Sequence, residues 1–328
     1  MIPTQDRRNF MKTLAMGAGA MTVTGLGASG CAREASEPST EPSTEPSARN
    51  IKIGHTCITW GTFPPKDGQN ETTLEAAMKD ISEQGFWTFE TFPQVLENWD
   101  QRGLLAPLIE KHGLPLQSAF ISGNLTDPSK RNDEVARIRK LCQIVKKYQG
   151  TYMILNPNGV DRETFDFNEH RADIVSAMNE YATVITDEGL EVGLHQHTDA
   201  CIETSEEVYA VLEAVNTEKM KFAPDVAQLQ KGGADAAQLV RDFLPIITHV
   251  HLKDYKGWPY YAGYCPLGMG EVDIEGILDM LESGGQNPTV MVELDPTYGG
   301  GADDPMTPLG TAMTSKAYLE SLGYTFRA

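Results

Sequence analysis

Ile51-Lys52-Ile53-Gly54-His55-Thr56-Cys57-Ile58 reads as a strand, and residues 74–84 read as a helix stopped at Gly85. The rest of the chain repeats that pair. Further strand candidates fall at 86–91, 115–121, 151–156, 190–197, 221–225, 246–253 and 289–294. Between them apolar residues recur at helical spacing. Val135, Ile138, Leu141, Cys142 and Val145 precede Gly150, and Val175, Met178, Tyr181, Ala182 and Ile185 precede Gly189. Ile274, Ile277, Leu278 and Leu281 do the same before Gly284. Eight short strands separated by helices, over about 280 residues, predict an α/β fold, a closed parallel (β/α)8 TIM barrel. A doubly wound open sheet would also alternate, but it usually carries a Gly-rich phosphate turn after its first strand. None follows here.

The charge balance narrows the partners. Against 27 Lys and Arg stand 46 Asp and Glu, a formal charge of −19 in 328 residues. Nucleic-acid affinity rests mainly on Lys and Arg neutralising phosphates, so a nucleic-acid partner is disfavoured. No run of eighteen apolar residues is present to span a membrane. Cysteines at 31, 57, 142, 201 and 265 form no C-x-x-C pair, which excludes a zinc ribbon and a dense disulfide framework. Soluble enzymes and binding proteins for small, weakly charged ligands remain.

The first fifty residues are expected to be an address. Asp6-Arg7-Arg8-Asn9-Phe10-Met11-Lys12, followed by an Ala-, Gly- and Met-rich run, resembles a twin-arginine export signal. Ala28-Ser29-Gly30-Cys31 resembles a lipoprotein cleavage box, which implies a lipid on Cys31 as the only membrane contact. Glu-Pro-Ser repeats then make an extended tether. The expected organisation is a signal over 1–31, a tether over 32–49 and a barrel domain over 50–328. The expected location is periplasmic or otherwise extracytoplasmic.

On such a barrel the chemistry lies at the carboxyl ends of the strands. Leu194-His195-Gln196-His197 ends the fifth strand candidate, and Pro224-Asp225 ends the sixth. His249-Val250-His251-Leu252-Lys253-Asp254 ends the seventh, and Val292-Glu293-Leu294-Asp295-Pro296 the eighth. Side chains alternate along a strand, so each histidine pair is expected to face the barrel mouth. A lone residue of this kind is ordinarily a core or capping residue. At one end of four consecutive strands, they point to a shared partner. Carboxylates and imidazoles aimed at one point repel or lie idle without a cation. The mixed donor set suits one divalent metal, with Mn²⁺ favoured and Zn²⁺ or Co²⁺ next.

These words, with Thr59-Trp60-Gly61, Gly85-Phe86…Glu90 and Gly268-Met269-Gly270-Glu271-Val272-Asp273, resemble the xylose-isomerase-like barrel superfamily. Within it they are most similar to the sugar phosphate isomerase/epimerase and inosose dehydratase branch. The resemblance runs from Asn50 to about Leu322. It implies a metal held by one residue from each of strands five to eight, here His195, Asp225, His251 and Glu293. Many members carry on the fifth strand a Glu that doubles as acid/base; His195 stands in its place, as in the branch with a His-x-His word. Gln228 stands where many relatives have a His.

Such an ion, bound to a sugar ketone and its neighbouring hydroxyl, stabilises the enediolate left when an α-proton departs. Return of the proton gives isomerisation or epimerisation, and loss of a β-substituent gives dehydration or elimination. The candidate acid/base groups are Glu90, His197, Lys253 and Glu293. Candidate substrate-binding residues are His55, Trp60, Gln228 and Trp258, the last leading a loop with Tyr260, Tyr261 and Tyr264. That loop has no basic cluster for a phosphate. The expected function is a metal-dependent isomerase or epimerase of an unphosphorylated sugar or keto-sugar. A dehydratase or lyase acting on an inosose or 3-keto-glycoside, and a noncatalytic lipid-anchored sugar-binding protein, are the alternatives. Oligomeric state is left open.

Overall fold

The computed structural model describes residues 49–285, 287–296 and 305–328. The expected signal, Cys31 and the tether up to residue 48 lie outside the described residues. Eight strands line the molecule: β1 Ile53–Thr56, β2 Phe89–Thr91, β3 Leu116–Gly123, β4 Tyr152–Pro157, β5 Glu191–Leu194, β6 Met220–Phe222, β7 His249–Leu252 and β8 Thr289–Val292. All pair in parallel, in the order β6-β5-β4-β3-β2-β1-β8-β7. Single parallel bridges, Phe222 to Ile247 and Asp225 to His251, then join β6 to β7. The ladder thus becomes a ring, the TIM barrel expected from the repeat.

The strands are shorter than the apolar runs that announced them. Gly85 and Phe86 use their N–H groups on Ser82 O and Ile81 O, closing the preceding helix, so β2 starts only at Phe89. At its far end the first run turns into a 3₁₀ segment, Cys57–Trp60. β5 ends at Leu194, which leaves His195 and His197 beyond the strand. The four helices read from periodicity occur as Leu74–Glu83, Arg131–Lys147, Phe167–Asp187 and Ile274–Ser283. Shorter helices such as Pro93–Gln101, Ser205–Leu212 and Val226–Lys231 fill the other crossovers. Their starts are legible in the side chains: Pro93 at the first turn, a Thr204–Glu207 capping box, and Asp225 accepting from Ala227 N and Gln228 N.

Alternation along the strands divides the interior in two. Val192, Leu194, Val250, Leu252, Val290 and Val292 belong to the large apolar core shared with the helices. Tyr152, Ile154 and Ala223, with Phe120 against them, form a separate cluster inside the barrel. Gly193 makes room for that cluster, since a Cβ there would collide with Tyr152 Oη and lie 2.8 Å from Ala223 Cβ.

Asp254 locks the loop that follows β7. It is buried, and its carboxylate accepts from Tyr255 N (2.9 Å), Gly268 N (3.1 Å), Gly270 N (2.8 Å) and Val272 N (3.1 Å). The Gly-x-Gly-x-Val-Asp word is therefore the backbone cradle of a structural aspartate. Asp254→Ala strands these donors and should destabilise the fold by about 3 kcal/mol. A urea midpoint close to that of the parent protein would remove Asp254 from this role.

Candidate functional site

At the carboxyl end of the barrel, side chains from β2, β3 and β5–β8 converge. The centre is Lys253, fully buried, with Nζ 2.9 Å from Asp225 Oδ2, 2.5 Å from Glu293 Oε1 and 2.8 Å from Asp295 Oδ2. Beside it His251 lies between two carboxylates. Its Nδ1 is 3.1 Å from Glu293 Oε2 and its Nε2 is 2.8 Å from Glu90 Oε1. Glu90 Oε2 accepts from Ser118 Oγ at 2.5 Å and lies 3.2 Å from His249 Nε2. His195 donates from Nδ1 to Ala223 O at 3.0 Å, which leaves Nε2 as its lone-pair nitrogen.

Each group's charge state follows from its neighbours. Burial pushes His195 down to about 3, helped by the charge of His251, so it stays a neutral imidazole. Burial likewise lowers His249, and pushes His55 down to about 4. Burial acts against protonated His251 too, yet the Glu90 and Glu293 carboxylates outweigh it and raise this group well above its ordinary value. Lys253 is raised in the same way by Asp225, Asp295 and Glu293. Burial resists ionisation of Glu90, but the His251 and His249 imidazoles hold it down at about 2. Lys253 does the same for Asp225 and Glu293.

Two groups of donor atoms have the spacing of a cation site: His195, Asp225 and His251, and Glu90, His249 and His251, each within 4.8 Å. Asp225 Oδ2, His249 Nδ1 and both ring nitrogens of His251 are buried at ion-pair or packing distances without a well-formed hydrogen bond. Buried polar atoms normally find such a partner, so this donor set fits a divalent metal. The first group, with Glu293 next to it, contains the residues that the family resemblance implied.

A small cavity, about 30 Å³, opens onto this cluster. It is lined by Thr56, Ile58, Glu90, Thr91, Phe92, Phe120, His195, His197, Glu293 and Asp295. The expected substrate-binding residues lie elsewhere. His55 shares its register with Phe89 and Val292, opposite in parity to cavity-lining Thr56, and packs edge-on against Trp60 and Phe86. Trp60 donates to Asp80. Trp258 packs against Tyr260 and Tyr261 beneath Lys256. Gln228 backs the cavity rather than lining it: its Nε2 lies 2.6 Å from His197 Nε2, while its Oε1 accepts from Thr198 N and Oγ1. Of the acid/base candidates, Lys253 sits behind its three carboxylates. Asp295, quoted in the word that ends the eighth strand candidate, had been given no role, and Ser118 had not been singled out.

A model of the xylose isomerase-like TIM barrel matches residues 78–315. The chain belongs to this family. Inosose dehydratase of Clostridium perfringens (strain 13 / Type A) is 21% identical over 303 residues, covering 83% of this chain and 97% of that relative. The crystal structure of 3-keto-D-glucoside 4-epimerase, YcjR, from E. coli superposes with a TM-score of 0.59 at 17% identity, over 83% of this chain and 99% of the other. IolI protein with a bound zinc atom gives 0.66 at 16% identity, over 83% and 98%. The chain is thus similar in sequence to a dehydratase, and in fold to an epimerase and a zinc-binding protein.

With divalent ions chelated away, stability should peak near pH 6.5, the ordinary histidine value. Below it the unfolded chain takes up protons at His55 and His195 that the folded chain refuses until about 4 and about 3. Stability therefore falls with acid. Above it the folded chain keeps a His251 proton that the unfolded chain releases, so stability falls again. Urea midpoints across acid, neutral and alkaline buffers read this out, and a steadily rising or falling profile would contradict the charge assignment.

Proposed function

We propose that this protein enolises an uncharged cyclic polyol ketone and eliminates water from it, with a divalent ion held by His195, Asp225, His251 and Glu293. The observation that carries the reading is the cavity wall. It presents three carboxylates and two imidazoles, and no Lys or Arg among the described lining residues. A phosphate or carboxylate on the substrate would meet like charge on this wall with no Lys or Arg side chain on it to pair with. Hydroxyl groups find acceptors and a cation instead, and Phe92 and Phe120, at 5.4 Å between ring centroids, offer an apolar wall to a ring face.

The ion would act as a Lewis acid on the ketone and its adjacent hydroxyl, easing departure of the α-proton. Asp295 is the group assigned to take that proton. It lines the cavity, stands outside the ligand set, and is held by the Lys253 ammonium at 2.8 Å. Alignment along nearly the whole of an inosose dehydratase supports elimination as the outcome. Epimerisation is the second reading. It is favoured by His197, on the same wall, as the group that would return the proton after releasing Gln228.

Incubation of the Mn²⁺-loaded protein with an inosose and with a 3-keto-glucoside in D₂O separates the readings. An ultraviolet-absorbing unsaturated ketone is expected, whereas recovered sugar carrying deuterium with no such product would favour epimerisation. Neither result with any neutral ketone would end the enolisation reading. Asp295→Asn should lower kcat by about 10²–10⁴-fold and retain Mn²⁺. If it turned over normally, Asp295 would not be the base.

A further inference from the structure

Gln228 is committed at both ends of its side chain. It lies on the short helix Val226–Lys231, buried behind the cavity wall. Its Oε1 accepts from Thr198 N at 3.1 Å and from Thr198 Oγ1 at 2.8 Å, and its Nε2 lies 2.6 Å from His197 Nε2. A backbone N–H only donates, so the amide oxygen is the end that faces Thr198, and the NH₂ group faces His197. The helix start holds this arrangement, because Asp225 Oδ1 accepts from Gln228 N at 3.0 Å.

His197 is fixed by the same contacts. It is half-buried on the cavity wall. Its Nδ1 lies 2.9 Å from Thr198 O, a carbonyl that only accepts, while its Nε2 faces an amide that only donates. The N–H of the ring is therefore spent on the backbone and its lone pair on Gln228.

We infer that Gln228 is a positioning residue that withholds His197 from proton return and so commits the enediolate to elimination. The inference rests on the enolisation reading above and names the side chain that selects its outcome. Once Asp295 has taken the α-proton, the electron pair of the broken C–H bond lies in the enediolate. In elimination that pair expels the β-hydroxide, and the proton and hydroxide together make up the water lost. In epimerisation a C–H bond re-forms on the opposite face and nothing leaves. That outcome needs a second proton donor, which solvent then reloads while Asp295 gives up its own proton. His197 stands on the wall, but its single N–H is not free to be given. Cutting the Gln228 contact would let the ring turn and take up that role.

The test compares the Mn²⁺-loaded parent and Gln228→Leu, as full chains, with an inosose in D₂O. The quantity read is the amount of inverted, deuterium-bearing ketone per unsaturated ketone formed. A positioned proton donor is worth about 10²–10⁴-fold, so this ratio should rise on the order of 10²-fold in Gln228→Leu. Adding His197→Phe to that variant should return it to the parent value, an outcome that loosened packing alone would not give. An unmoved ratio in folded Gln228→Leu, a gain that persists without His197, or a parent that forms mainly the inverted ketone would each overturn the role of Gln228 while enolisation stands. Neither product from the parent would overturn the enolisation reading and this inference together. If Gln228→Leu does not fold, Thr198→Val removes one of the two donors to Oε1 and should raise the ratio by a smaller factor; an unmoved ratio there would overturn the inference.

Discussion

Four buried carboxyl groups, those of Glu90, Asp225, Glu293 and Asp295, share one end of the barrel, and their charge must be offset within it. An unpaired buried carboxylate costs several kcal/mol even after relaxation. Lys253 answers three of them and His251 two, with Glu293 counted in both sets. Two internal cations against four acids leave the cluster short of positive charge. The same shortage explains why the site suits a divalent ion and why Lys253 is fully buried without being an idle hydrophobe.

Strand parity decides which side chains take part. On β7, His249 and His251 point inward while Val250 and Leu252 join the outer apolar core. Lys253 continues the inward series into the carboxylates, and the next residue, Asp254, turns to the loop that it locks. The bridge between Asp225 and His251 is where the ring closes, so the closure itself brings β6 and β7 donors together. Architecture and site share the same hydrogen bonds.

The repeat of strand and helix was legible because barrel strands, buried on both faces, are short apolar runs between turn signals. The words carrying His195, Asp225, His251 and Glu293 were legible for a similar reason: polar residues at the ends of such runs stand out. Contacts across the interior were not. Nothing in the local pattern pairs Glu90 on β2 with His249 on β7, or sets Ser118 between them. Asp295 stood in the word that ends the eighth strand candidate without a role of its own, although it lines the cavity. His55 misled in the other direction, since its strand gives no hint of which parity faces inward until Thr56 is seen beside Glu90. Past Leu194 the alternation rule no longer applies, and the place of His197 depends on Gln228 and Thr198 instead.

The site therefore has two layers with different duties. The inner one, Ser118, His249 and Tyr152, is buried behind Glu90, which also forms part of the cavity wall, and is joined to it by polar contacts and ring stacking. Under the proposed function, the outer layer would meet the substrate through carboxylates and imidazoles that suit a neutral ketone flanked by hydroxyls. Discrimination among such ketones must then come from elements that the donors do not constrain. On the described cavity wall those are Ile58, Phe92 and Phe120, which leave the carboxylates where they are whatever their own size. A barrel built this way could change its substrate at the apolar wall while leaving the donor cluster in place.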